Sequence, residues 1–127
     1  MKEARAIDYL GHMLEAIQLA CSYIEHLDQD GFLADRRTQQ AVILNIVVIG
    51  EAATKLANDF PAFVERHPEV PWSSMRGMRN RMAHGYFDVD LGIVWQTVQS
   101  SLPTLAERLT EIRDAVARGD GKARNGA

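Results

Sequence analysis

Cysteine is nearly absent: Cys21 stands alone among 127 residues, so the chain closes no internal disulfide and offers zinc no CxxC pair. A reducing, cytoplasmic setting is the expectation that follows. Aromatic residues amount to 7%, while Leu, Ile, Val, Ala and Met supply most of the apolar content, a balance that favours helices over a strand-rich sandwich. An excess of positive charge is missing too. Lys and Arg number 14 against 17 Asp and Glu, and the net charge of −3 excludes a protein that coats nucleic acid without specificity. Any RNA contact must use a local basic patch. The opening MKEARAIDYL lacks the apolar run of a signal peptide, and the longest apolar stretch, 41–50, is interrupted by Asn45 and too short to span a bilayer. A soluble chain of one domain is expected, and its length allows a real core.

What is present is helical periodicity. Ile7, Leu10, Leu14, Ile17, Cys21 and Ile24 recur at steps of three and four, a heptad stripe on one long helix over 3–28. Asp28, Asp30 and Gly31 break it, and Asp35 caps a second helix whose Val42, Ile46, Ile49, Ala53 and Leu56 form a stripe to about residue 57. Within that helix Gly50, Ala52 and Ala53 present little bulk and allow a neighbouring backbone close. Pro61 and Pro68 mark a connecting segment, and Ser73 is the expected cap of a short third helix ending near His84 and Gly85. Asp90 caps a last long helix carrying Val98, Leu102, Leu105, Leu109, Ile112 and Val116, with Pro103 predicting a bend over 99–103 and not a break into two helices. The expectation is an all-α antiparallel bundle of four to five helices over 1–117 that dimerises through its exposed stripes, with a disordered tail over 118–127.

The third helix concentrates chemistry. On a wheel of about 100° per residue, Met75, Met78 and Met82 share one face, while Arg76, Asn80 and His84 line the other at steps of four, flanked by Arg79 and Arg81. Three arginines and a histidine within nine residues of an acidic chain point to an anion, and guanidinium forks match phosphate oxygens. An imidazole titrates near neutral pH and serves as base or acid, and arginines absorb the charge that builds on a phosphate. RNA brings its own nucleophile, the 2′-hydroxyl, so neither a protein nucleophile nor a cofactor or metal is called for. Arg79 and His84, five residues apart, stand about 140° from each other on a straight helix. Either the helix ends before His84 and Gly85 swings it round, or a second copy completes the site across a two-fold axis. The bland alternatives are an Arg79 salt bridge to Glu51, an Asn80 that caps backbone or else orients His84, a His84 capping a helix end, and solvent-facing Arg76 and Arg81. His12, His26 and His67 lack ligand spacing and, with Cys21, read as structural.

Arg79, Asn80, His84 and Tyr86, in the order arginine, polar residue, spacer, histidine and then tyrosine two residues on, resemble the motif of the HEPN superfamily, and more closely of the HepT-like toxins. The stretch IGEAA at 49–53, Pro71-Trp72 before the motif and residues 90–105 after it share the resemblance, which covers most of 1–116. It implies a dimeric helical bundle whose paired motifs form a metal-independent endoribonuclease in one cleft. Arg79, His84 and Asn80 would be catalytic, with Arg76 and Arg81 contacting RNA. It also implies an antitoxin partner, a minimal nucleotidyltransferase that can attach AMP to Tyr86. The competing possibility is a non-catalytic helical dimer that serves as that enzyme's binding partner and substrate.

Overall fold

A computed structural model describes residues 2–85 and 88–119. Every regular element among them is a helix. The first, α1 (Lys2–Tyr23), buries Leu10, Leu14 and Ile17 of the stripe read from the sequence, together with Met13 and Ala20, while Ile7 and Cys21 of that stripe are half-buried, and the helix stops five residues short of Asp28. Asp28 does not merely break a helix. Its carboxylate accepts from the Gly31 amide at 2.8 Å and starts a one-turn helix, α2 (Gln29–Leu33). This turn carries Phe32, fully buried, 5.5 Å between ring centres from Trp95.

Asp35 caps α3 (Arg36–Asp59) as its position predicts: one carboxylate oxygen accepts from the Thr38 amide at 3.1 Å, the other from the Thr38 hydroxyl at 2.8 Å. By length and composition α3 could cross a membrane. Here it is the central helix, packed on α1 and on α5 (Trp72–His84), with half of its most apolar stretch buried. Asn45, which interrupts the apolar run, is buried and gives its amide proton to the Ala41 carbonyl at 2.9 Å. At the far end of α3 the Tyr9 hydroxyl of α1 donates to Asp59 at 2.9 Å.

The segment between α3 and α5 is not only a connector. Pro61 opens another one-turn helix, α4 (Pro61–Glu65), where its missing amide proton costs nothing. The expected Ser73 cap is absent, because α5 already begins at Trp72, with Pro71 before it and no side chain capping it. Two anchors take the cap's place: Val70 is buried, and the Trp72 indole donates to the His67 carbonyl at 3.0 Å.

Asp90 caps the last helix through the amides of Gly92 and Ile93. That helix runs unbroken as α6 (Leu91–Gln96), a π-helical turn (Thr97–Ser101) and α7 (Leu102–Arg118), so one helix is correct and the expected distortion takes the form of a wide turn. Its cause can be followed atom by atom. The Leu102 amide reaches back five residues to the Thr97 carbonyl, and Pro103 has no amide to offer the Val98 carbonyl. The Cys21 thiol of α1 donates toward the Val98 carbonyl oxygen, at 3.8 Å. Burial pushes the pKa of this thiol up, and Glu25 adds to the shift.

Counting the last helix once, the described residues form six helices, four long and two of one turn, against the four to five expected. The helix continues one residue past the predicted boundary at 117, and Gly119 closes it in the left-handed conformation. The rest of the predicted tail, 120–127, lies outside the described residues.

Candidate functional site

Gly50 decides how near α5 comes to α3. A Cβ placed on it would stand 2.2 Å from the Arg79 Cβ and 2.9 Å from the Met75 carbonyl oxygen, so only glycine admits the approach. The Arg79 stem therefore crosses α3 at Gly50, and its guanidinium ends one turn further along. There Nη1 meets Glu51 Oε1 at 2.8 Å and Nη2 donates to the Thr54 hydroxyl at 3.2 Å. Thr54 in turn donates to the Gly50 carbonyl at 2.8 Å. Arg79 Nε is buried without a hydrogen-bond partner. The salt bridge to Glu51 weighed from the sequence is thus real, and it leaves the arginine side chain 20% exposed.

The other motif residues lie on open surface. Arg76, Asn80, Arg81 and His84 are all exposed, and none makes an ion pair or hydrogen bond through its side chain among the described residues. Met75 and Met82 are buried on the opposite face as predicted, and Met78 is half-buried. Asn80 neither caps backbone nor braces His84. The helix does not end before His84: α5 includes it, and the Gly85 amide closes the last turn on the Arg81 carbonyl at 2.9 Å. The possibility that Gly85 swings the histidine back toward Arg79 is therefore corrected. Within one chain the arginine lies against α3 while the histidine, about 140° round the helix, faces solvent. Tyr86, the candidate modified residue, lies outside the described residues.

Behind α5, between it and the last helix, runs an apolar groove of about 290 Å³ lined by Ile49, Met75, Met78, Thr97, Leu102 and Leu105. The catalytic candidates do not line it. No three His, Cys, Asp or Glu side chains converge among the described residues to hold a metal. His67 sits apart, 3.3 Å from Glu69 and packed on the Phe63 ring. Sequence reasoning flagged Glu51 but missed Thr54, whose partner is 25 residues away; the one available hint is its step of four from Gly50.

A protein of Thermococcus cleftensis named "Probable ribonuclease HepT" is 39% identical over 106 residues, 84% of this chain and 94% of its own. A Methanocaldococcus jannaschii protein named "Putative RNase MJ0127" is 34% identical over 111 residues, 87% and 88% of the two chains. Another from that organism, named "Gamma-glutamylcyclotransferase and putative RNase MJ0434", is 33% identical over 92% of this chain but only 51% of its own length. No solved structure matches. The model of the family described as "Ribonuclease HepT-like" matches residues 13–112, which takes in α3, the whole of α5 and most of the last helix. With its fold, its motif helix and most of its length accounted for in this way, the chain belongs to the HepT-like ribonuclease family.

Proposed function

We propose that the protein is a metal-independent endoribonuclease, the toxin of a toxin–antitoxin pair, acting at a cleft formed by two copies of the chain. The observation that carries this is the split of the motif: Arg79 is fixed against α3 by Glu51 and Thr54, while His84 on the same helix points away from it into solvent. One chain supplies each half of a phosphate site but does not converge them. Two chains related by a two-fold axis do so if their α5 helices face each other.

The exposed side of α3 supports that assembly. Leu44 and Val48 stand 63% and 38% exposed on the stripe that continues, at helical spacing, to Glu51 and hence to Arg79. A second copy laid on this stripe buries apolar surface otherwise left in water and brings its own motif helix beside the first.

In the cleft His84 takes the proton of the 2′-hydroxyl. The 2′-oxygen bonds to phosphorus, the bond to the 5′-oxygen breaks, and that oxygen leaves with a proton from the partner copy's imidazole acting as acid. Arg79 stabilises the charge on the non-bridging oxygens, and Arg76 and Arg81 hold the flanking phosphates. The products are a 2′,3′-cyclic phosphate and a 5′-hydroxyl. The nucleotidyltransferase antitoxin and AMP transfer to Tyr86 belong to the same proposal, as the means by which the partner silences the cleft.

The test is cleavage of a mixed RNA in EDTA by wild type and by His84→Ala, both checked for fold and size. Cleavage at least 100-fold slower in the variant, with cyclic-phosphate ends from the wild type, supports the proposal. Undiminished cleavage by the variant, or a requirement for a divalent ion, ends it.

A further inference from the structure

We propose that Thr54 is a positioning residue for Arg79, a two-way hydroxyl that fixes the plane of the guanidinium and so decides which of its protons meet the RNA phosphate. The inference rests on Arg79 being the phosphate-stabilising group, and it adds a residue outside the motif to that role.

A guanidinium carries five N–H groups on a long, rotatable stem, and an arginine on open surface spreads them over many conformers. Here three points hold it. The stem lies across Gly50, where a Cβ would come within 2.8 Å of its Cγ; Nη1 is taken by Glu51 at 2.8 Å; and Nη2 is taken by Thr54 at 3.2 Å.

The polarity of the third contact is forced. A hydroxyl has one proton, and Thr54 gives it to the Gly50 carbonyl at 2.8 Å, so toward Arg79 it can only accept. Buried Nε adds an independent sign that the placement is imposed. Its donor is left without a partner, which a side chain free to choose its own hydrogen bonds would avoid. Of the five protons, one goes to Glu51, one to Thr54 and one is buried on Nε. That leaves one on Nη1 and one on Nη2 to meet a phosphate.

Serine can reproduce this hydroxyl and valine cannot, although valine keeps threonine's shape. In the folded wild type the shielded Nε proton exchanges slowly with water, and gives a resolved Arg79 side-chain signal in a ¹H–¹⁵N spectrum, identified by its loss in Arg79→Lys.

The proposal expects Thr54→Val to broaden or lose that signal and to lower kcat for RNA cleavage about 10- to 100-fold with KM little changed, as misplacement of a catalytic group does. Thr54→Ser restores both. An Arg79 signal as sharp in Thr54→Val as in wild type, or an equal fall of kcat in the valine and serine variants, overturns it. If the wild type cleaves no RNA, the spectrum alone decides: loss in valine and recovery in serine sustains the brace while the ribonuclease proposal fails by itself.

Discussion

Arg79 is held at a cost. A buried donor without a partner forfeits about 1–3 kcal/mol, and an ion pair to a carboxylate as exposed as Glu51 returns little of it. Residues that break the usual rules of satisfaction in this way are where function is expected to lie. Asp35 follows the rules and is a useful contrast. The Thr38 hydroxyl and amide hold its carboxyl below the usual carboxylate range. A group depressed in the folded state stabilises the fold in full above its unfolded pKa and loses that effect as pH falls through the folded one. Asp35→Ala is therefore expected to lower the melting temperature most above about pH 5, with the gap to wild type closing below about pH 4, as thermal denaturation across that range would register. At this scale the two faces of the motif helix were legible, Arg76, Asn80 and His84 exposed and Met75 and Met82 buried, because their spacing is local. Thr54 was not, since its meaning depends on a helix that arrives 25 residues later.

Between elements, the contact that sets the site is α3 against α5 at Gly50. An alanine there gains up to about 1 kcal/mol of helix propensity, but its methyl meets the backbone of Met75 and the base of Arg79 well inside contact distance, and backbone cannot yield as a flexible side chain does. Repulsion wins: Gly50→Ala is expected to cost about 1–3 kcal/mol in urea denaturation and to displace the guanidinium. Gly77→Ala on α5 meets only the far end of Arg81, at 3.7 Å, and should stabilise by up to about 1 kcal/mol, which isolates the effect of the crossing. The long helices and the caps at Asp35 and Asp90 could be read from periodicity and capping chemistry. The one-turn helices α2 and α4 could not, because five residues are too few to display a period of 3.6. They exist through tertiary contact, Phe32 against Trp95 in one case and the burial of Phe63 in the other.

For the whole molecule the question is how an acidic chain handles a polyanion. With a net charge of −3, the cleft proposed above would draw RNA only by concentrating Arg76, Arg79 and Arg81 of two copies. On that proposal, assembly and activity fail together. Leu44→Glu combined with Val48→Glu, both at exposed positions and so harmless to the core, is expected to give a single-copy mass in sedimentation equilibrium and to abolish cleavage while the helical circular dichroism stays unchanged. A dimer that persists with both glutamates in place would remove α3 as the interface.

The wide turn at Thr97–Ser101 has an arithmetic meaning. Val94, Val98 and Leu102 are buried at two successive steps of four, a spacing that would drift off the core on a regular helix but stays aligned where a turn holds more than four residues. The turn thus behaves as a one-residue insertion absorbed on the spot, with the surplus looped toward solvent at Gln99 and Ser100. Because the mismatch is cancelled locally, α7 keeps its own face on α1, and the chain can carry one residue more in this helix than its core demands without passing the error to either end.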